Sequence, residues 1–301
     1  MGDSPACGAI DHPVALVTGG NRGIGLEVVK SILEEGPNFF VFMGCRNLEA
    51  GQALASTLCD TYGKRVEAVQ LDVTSAESIL SAARNVSAGG RQLDILVNNA
   101  GILLEKDDAE FNLEDIRQTM HTNFEAVMNS TAVFLPLIKH GGQIVSTSSG
   151  VGPRTLARLT AAHRDALLDV NLDVSTLHSI LVQIEHGLRD PSNSYRDIPQ
   201  IGYGLSKLGV NCLTQVLARL HPNLYINACS PGFCNTDMCA NYKGERKPKE
   251  PALGASVFRK VLFGELGRGQ TGLFFKEGSK ADTPLDKAVA SVDPWVAGLG
   301  G

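Results

Sequence analysis

Patterns that would hold a metal or a disulfide framework are missing from this chain. Its seven cysteines (Cys7, Cys45, Cys59, Cys212, Cys229, Cys234 and Cys239) form no C-x-x-C pair, and their odd number argues against a disulfide scaffold. Cys229, Cys234 and Cys239 stand at even intervals, which allows a soft-metal loop, but a cluster of small apolar residues is the simpler reading. None of the seven histidines falls in an H-x-x-x-H or H-E-x-x-H pattern, so no metal is expected. No run approaches the apolar length of a bilayer span. The opening MGDSPACGAIDHP lacks the basic start and long apolar run of a signal peptide. Ala6 also stands where a myristoylation signal needs Ser or Thr. A cytoplasmic protein without a membrane partner is the expectation. Excess positive charge is absent too. A net charge of −5 argues against a nucleic-acid partner, which needs a concentrated basic surface. Nor does any internal repeat or low-complexity tract occur.

What is present is ordinary globular material, 43% apolar and 20% charged over 301 residues. Short apolar, β-branched runs alternate with helical patterns. The strand candidates are VALVT (14–18), FFVFM (39–43), VEAVQL (66–71), DILVNN (94–99), QIVST (143–147), LYINAC (224–229) and TGLFFK (271–276). Helical patterns lie between them, one around Ser75–Val86 and a long one over about 113–139. Near-continuous apolar strands spaced by helices predict a single α/β domain over 1–301, with a doubly wound parallel sheet of seven strands. Two segments break the rhythm. Residues 150–201 form a helical insertion where a short connection would do, and residues 232–250 form a polar loop of the kind that covers a substrate.

The first strand runs straight into TGGNRGIG, Thr18 to Gly25, and then into a helix. Gly19, Gly23 and Gly25 let backbone approach a pyrophosphate, and a helix N-terminus offers free N–H groups and partial positive charge. No Walker lysine appears, so a nucleoside triphosphate is not expected. At the end of the second strand MGCRN offers Arg46 and no carboxylate, and Arg22 sits in the glycine loop. Two guanidiniums suit the 2′-phosphate of NADPH, where NAD would need an acidic residue for its ribose.

Seven motifs occur in order: TGGNRGIG, LDV (71–73), NNAG (98–101), Asn123 in HTNFEA, IVSTSSG, YGLSK (203–207) and SPGFCNTDM. In this the chain resembles the short-chain dehydrogenase/reductase superfamily over roughly residues 14–276. Within it the chain is most similar to the NADPH-dependent carbonyl reductases of vertebrates and to plant menthone and salutaridine reductases. Those relatives also carry an extra segment between the catalytic serine and tyrosine. The tail around Trp295 is compatible with that group.

The resemblance implies the roles. Tyr203 is the acid, Lys207 lowers its pKa and bonds the nicotinamide ribose, Ser149 bonds the substrate oxygen, and Asn123 holds a relay water. Within STSS the resemblance points to Ser149 over Ser148, a choice that strand alternation leaves open. It also assigns cofactor contacts to Thr18, Gly19, Asn21, Arg22, Gly23, Ile24, Gly25, Arg46, Asp72, Val73, Asn99, Tyr203 and Lys207. In the loop after the sixth strand it adds Pro231, Gly232, Cys234 and Thr236, while Asn98 is read as a brace of the sheet. The chemistry agrees with these roles. A free phenol with pKa about 10 is a poor acid–base group at neutral pH. On a helix, Tyr203 and Lys207 share a face. An ammonium about 4 Å away, at an effective dielectric near 20, favours phenolate by about 4 kcal/mol. That is on the order of three pKa units, which predicts a phenol near 7.

The function expected is NADPH-dependent reduction of a ketone or aldehyde. The alternatives are oxidation of a steroid or terpenoid alcohol with NADP+, and an NADPH sensor without turnover. Phe233, Met238 and Tyr242 are candidates for an apolar substrate wall, or for packing within their own loop. Leu177, Ile180, Leu181, Ile184 and Leu188 make an apolar stripe in the insertion. The superfamily dimerises through the helices this insertion adjoins, so a monomer is expected.

Overall fold

The computed structural model describes residues 12–105, 110–239, 242, 245–264 and 266–276. Cys7 and the tail around Trp295 lie outside them. From the N-terminal side the elements are β1 (Val14–Thr18), α1 (Gly23–Glu35), β2 (Phe40–Cys45), α2 (Leu48–Tyr62) and β3 (Val66–Gln70), followed by α3 (Ala76–Val86) and β4 (Leu93–Asn98). Next come α4 (Leu113–Met120), a π-turn (His121–Glu125), α5 (Ala126–Phe134) and β5 (Ile138–Thr147). The insertion supplies α6 (Val151–Arg158), α7 (Ala161–Leu167) and α8 (Val174–Gly187). The remainder is α9 (Ile201–Leu220), β6 (Tyr225–Ser230), α10 (Pro251–Leu262) and β7 (Phe274–Lys276).

Among the described residues the strands form one parallel sheet in the order β3-β2-β1-β4-β5-β6-β7. The chain winds outward from β1 in one direction and then restarts at β4 in the other. That reversal leaves a crevice beyond the carboxyl ends of β1 and β4, where doubly wound sheets bind ligands. The central strands are apolar without alternation, all five residues of β1 being buried, because helices cover both faces.

The predicted helix over about 113–139 divides. A π-turn interrupts it at His121–Glu125, and it ends at Phe134, where Pro136 enters a short 3₁₀ turn. The fifth strand therefore starts at Ile138, ahead of the expected QIVST. Its pairing with β4 shifts between Leu93↔Ile138 and Ile95↔Gln143, so residues 139–142 bulge out through Gly141 at φ 78°. The last strand is shorter than predicted, since Gly272 at φ 76° turns the chain just before it.

The insertion folds down on α9. Leu177, Leu181, Ile184 and Leu188 are buried and Ile180 is partly so, all within one cluster with Phe124, Leu205 and Leu208. Gly209 makes room: a Cβ there would lie 2.6 Å from Phe124 Cδ2 and 2.7 Å from Leu181 Cδ1. Each fully buried aliphatic side chain of the stripe contributes about 1.5–3 kcal/mol. Polar contacts fix the register of α8, with Arg117 Nε 3.0 Å from Glu185 and His178 Nε2 3.4 Å from Glu125.

Candidate active site

The glycine loop lies at the mouth of the crevice. Gly19 and Gly23 take φ of 62° and 52°, which side chains disfavour. Gly25 sits so close to the Gly19 carbonyl and the Asn99 amide that no Cβ fits. The Asn99 amide pins the loop, donating to the carbonyls of Thr18 at 3.1 Å and Gly19 at 3.2 Å. Thr18 is buried, and its hydroxyl accepts from the backbone N–H groups of Asn99 and Ala100 at 2.9 and 3.0 Å. It braces the loop from behind. Asn21 stands half-buried in the loop, and Ile24 packs down on the core. Asn98 is a brace as predicted, donating to Thr131 Oγ1 at 2.9 Å and Ser146 Oγ at 3.3 Å.

Half of the described α-helices open on a side-chain cap: Asn47, Ser75, Asn112, Thr160 and Asp173 each accept a backbone N–H. α1 does not. Arg22 at its N-cap makes no capping bond, and its first turn holds no acidic residue. The N–H groups of α1 thus stay open beside a glycine cradle, and these residues fit a dinucleotide pyrophosphate. Beside the cradle, Asp72 accepts from Thr74 N at 2.9 Å and Thr74 Oγ1 at 2.7 Å, while Val73 is buried. Burial pushes the Asp72 carboxyl up, but the Thr74 bonds and the Arg46 guanidinium outweigh it and hold it below its usual range. Arg46 and Asp72 therefore share one corner of the crevice. Arg22 is engaged elsewhere, its Nη1 2.6 Å from Asp237 in the loop after β6, with both side chains exposed. Sequence reasoning placed Arg22 with Arg46 and missed Asp237.

The candidate catalytic residues gather around α9. Ser149 follows β5, and its hydroxyl lies near enough to the half-buried Tyr203 phenol to favour the phenolate. Ser148 is buried and donates to the Lys207 carbonyl at 3.1 Å, so its hydroxyl is engaged away from Tyr203. Lys207 is 3% exposed, and its ammonium donates to the Thr147 carbonyl at 2.9 Å. Asn123 sits in the π-turn, fully buried. Its amide donates to Ile102 O at 2.7 Å and Ser206 Oγ at 3.4 Å, and its Oδ1 accepts from Ile102 N at 2.8 Å. One Oδ1 lone pair is left over, and both Oδ1 and Lys207 Nζ lie within 4 Å of a Cβ position on Gly101.

The expected phenol near 7 is corrected by this geometry. Lys207 Nζ lies 5.6 Å from the centre of the Tyr203 ring and is directed at Thr147. Burial pushes the phenol up to about 12, with the Ser149 hydrogen bond opposing and Cys239 adding to the rise. Burial also pushes Lys207 down to about 8. Desolvation disfavours the charged form of each group. Spacing on a helix face showed that the two side chains are neighbours but left open where the ammonium points.

In the loop after β6, Thr236 packs against Gly23, with Cγ2 3.1 Å from a Cβ position there. The Cys234 side chain turns inward, its thiol donating to the Pro231 carbonyl at 3.3 Å and packing on Gly254 of α10. Gly232 turns the chain at φ 77°. Phe233 and Tyr242 pack on each other, ring centres 4.6 Å apart, so their contact is within the loop. Met238 is 36% exposed. One functional candidate escaped the sequence altogether: Glu105, which accepts the backbone N–H groups of Gly202 and Tyr203 at 3.0 and 2.6 Å. No motif surrounds it. The absence of a capping residue before IGYGLSK was the available signal.

Comparison with known proteins agrees with this geometry. The family model for short chain dehydrogenases matches residues 13–161. Carbonyl reductase (NADPH) 1 of Mus musculus is 31% identical over 248 residues, covering 80% of this chain and 88% of that protein. Salutaridine reductase of Papaver somniferum superposes with a TM-score of 0.75 at 25% identity, covering 88% of this chain and 99% of that one. Menthone neomenthol reductase of Mentha piperita superposes with a TM-score of 0.72 at 22% identity, covering 88% and 98%.

A buried lysine with pKa about 8 carries a signature in stability. Below that value it is protonated folded and unfolded, and the cost of burying the charge is present in full. Between about 8 and the unfolded value of 10.5 the unfolded chain binds more protons, so this residue's contribution to stability rises with pH. Urea unfolding of the wild type and Lys207→Met should diverge in the wild type's favour from pH 8 to 10, by up to about 3 kcal/mol. Parallel curves for the two proteins would place the ammonium in solvent.

Proposed function

Since the chain belongs to the short-chain dehydrogenase/reductase family, and is thus a nicotinamide-dependent oxidoreductase of carbonyl or alcohol groups, we propose that it is an NADPH-dependent carbonyl reductase with Tyr203 as proton donor. The nicotinamide dinucleotide supplies the hydride. The chain supplies the rest. The cradle of Gly19, Gly23 and Gly25 and the open N-terminus of α1 take the pyrophosphate. Arg46, beside Asp72, takes the 2′-phosphate, with Arg22 as a second guanidinium once it leaves Asp237. Ser149 donates to the substrate oxygen as charge develops there. Tyr203 passes its proton to that oxygen. Lys207 bonds the ribose, and Asn123 offers its remaining Oδ1 lone pair to a water that resupplies the proton.

The observation that carries this reading is a buried lysine, anchored on the Thr147 carbonyl at the carboxyl edge of the sheet, beside the Tyr203 ring and the nearby Ser149 hydroxyl. The phenol also favours reduction over alcohol oxidation. With its pKa pushed up to about 12 it holds its proton at neutral pH and stands ready to give it to a far more basic alkoxide. Oxidation would need the phenolate, which burial disfavours. A substrate of moderate size would enter between the insertion and the loop after β6. We place the protein in the cytoplasm, where NADPH favours reduction.

Loss of NADPH absorbance with a panel of diketones, quinones, menthone-like ketones and steroids tests the activity. With any substrate so found, Tyr203→Phe should lower kcat by about 10²-fold or more and leave NADPH affinity within a few-fold. A variant that keeps a third of the wild-type rate would remove Tyr203 from its role.

We further propose a monomer. α8 packs on α9, where dimers of the family pair, and its stripe Leu177, Leu181, Ile184 and Leu188 is buried there. Light scattering after size exclusion at micromolar concentration should return a mass near 32.0 kDa. Twice that mass, persisting on dilution, would show that the insertion does not close the interface.

A further inference from the structure

Tyr203 stands in the first turn of α9, the part of a helix least constrained by its own ladder. The N–H groups of Gly202 and Tyr203 have no partner within the helix, since no carbonyl precedes them by a full turn inside it. The residue at the N-cap, Gln200, does not cap the helix with its side chain and holds φ 51° and ψ 45°, a left-handed conformation uncommon outside glycine. A carboxylate from elsewhere in the chain takes both orphan donors. Gly202 N donates to Glu105 Oε1 at 3.0 Å and Tyr203 N to Glu105 Oε2 at 2.6 Å, across 98 residues of sequence.

The fit is built. A Cβ on Gly202 would lie 2.9 Å from Glu105 Oε2 and 2.9 Å from the Ile116 backbone, so only glycine lets the carboxylate and α4 close on this turn. The positive end of α9 favours the negative charge, and the two backbone bonds favour it further. Burial and the neighbouring Asp115 oppose them and hold the Glu105 carboxyl above its usual range.

We infer that Glu105 is a positioning residue for the reaction: its bidentate grip on the backbone of Gly202 and Tyr203 aims the Tyr203 phenol at Ser149. The inference rests on the role given to Tyr203 above. Two bonds to adjacent amides fix the peptide plane that precedes the Tyr203 Cα, and so the direction in which its side chain leaves the helix. Without them the first turn can fray or rotate while α9 as a whole stays packed, because the anchors of Lys207, Leu208 and Gly209 lie further along.

The test compares Glu105→Ala and Glu105→Gln with the wild type in three readouts: kcat with a carbonyl substrate, NADPH affinity by fluorescence, and amide exchange at Gly202 and Tyr203. A misplacement of about 1 Å costs up to about 10²-fold in rate, so Glu105→Ala should lose at least about tenfold in kcat while NADPH affinity stays within about threefold. Glu105→Gln keeps one acceptor oxygen and should fall between. The two amides should exchange at least about tenfold faster in Glu105→Ala, with the rest of α9 unchanged. Wild-type kcat in Glu105→Ala overturns the inference. So does a rate loss matched by an equal loss of NADPH affinity and of protection throughout α9, which would mean a structural role alone. Should Glu105→Ala fail to fold, Glu105→Gln stands in for it, and an unchanged kcat there overturns the inference. If the wild type itself reduces no carbonyl, the proposed activity fails, and the exchange rates alone judge the clamp: faster exchange upholds it and unchanged exchange overturns it.

Discussion

α9 lies in close contact with several neighbours at once, and the rest of the crevice depends on that packing. Gly202 admits Glu105 and Ile116, Gly204 admits Thr155 of α6, and Gly209 admits Phe124 and Leu181. At each of these positions a side chain would push a neighbour away. The consequence is electrostatic. A helix packed this tightly carries Lys207 into the interior and shields the phenol of Tyr203, so both groups are drawn toward their neutral forms. A chemically passive protein would gain nothing from that cost. Here it yields a phenol that keeps its proton beside a serine hydroxyl, which is what donation to a developing alkoxide requires.

The insertion belongs to the same constraint. Without it, the apolar faces of α9 and α4 that it packs on would be open to water. α8 provides the cover internally, and its polar ties to Arg117 and Glu125 fix it against α4 and the π-turn that holds Asn123. One added helix thus closes over Phe124, Leu205 and Leu208. Two helices at the crevice that lack a side-chain cap, α1 and α9, differ in what meets their N–H groups. α1 leaves its N–H groups open for an anion, whereas those of α9 are taken by Glu105.

Much of this was legible in the residues. β1 matched its predicted bounds, and the strand and helix alternation predicted the sheet, because buried parallel strands are continuously apolar and glycine loops mark the crossing points. The stripe of α8 was visible for the same reason: burial writes a period into the sequence. Three things left no such trace. Pro136 and Gly141 shifted the start of β5 by local geometry that an apolar window does not register. The phenol's acidity was misjudged because helix spacing puts Lys207 near Tyr203 but does not show the Thr147 carbonyl that draws the ammonium aside. Glu105 was invisible because its partners are backbone amides, which every residue but proline possesses.

The central claim is that burial keeps the Tyr203 phenol protonated, as a donor. Phenolate absorbance, titrated in the wild type and in Tyr203→Phe without cofactor, isolates that group by difference. The account predicts no ionisation step between pH 6 and 10, in keeping with a pKa pushed up to about 12. A difference step near pH 7, the value that lysine alone would set, would contradict it.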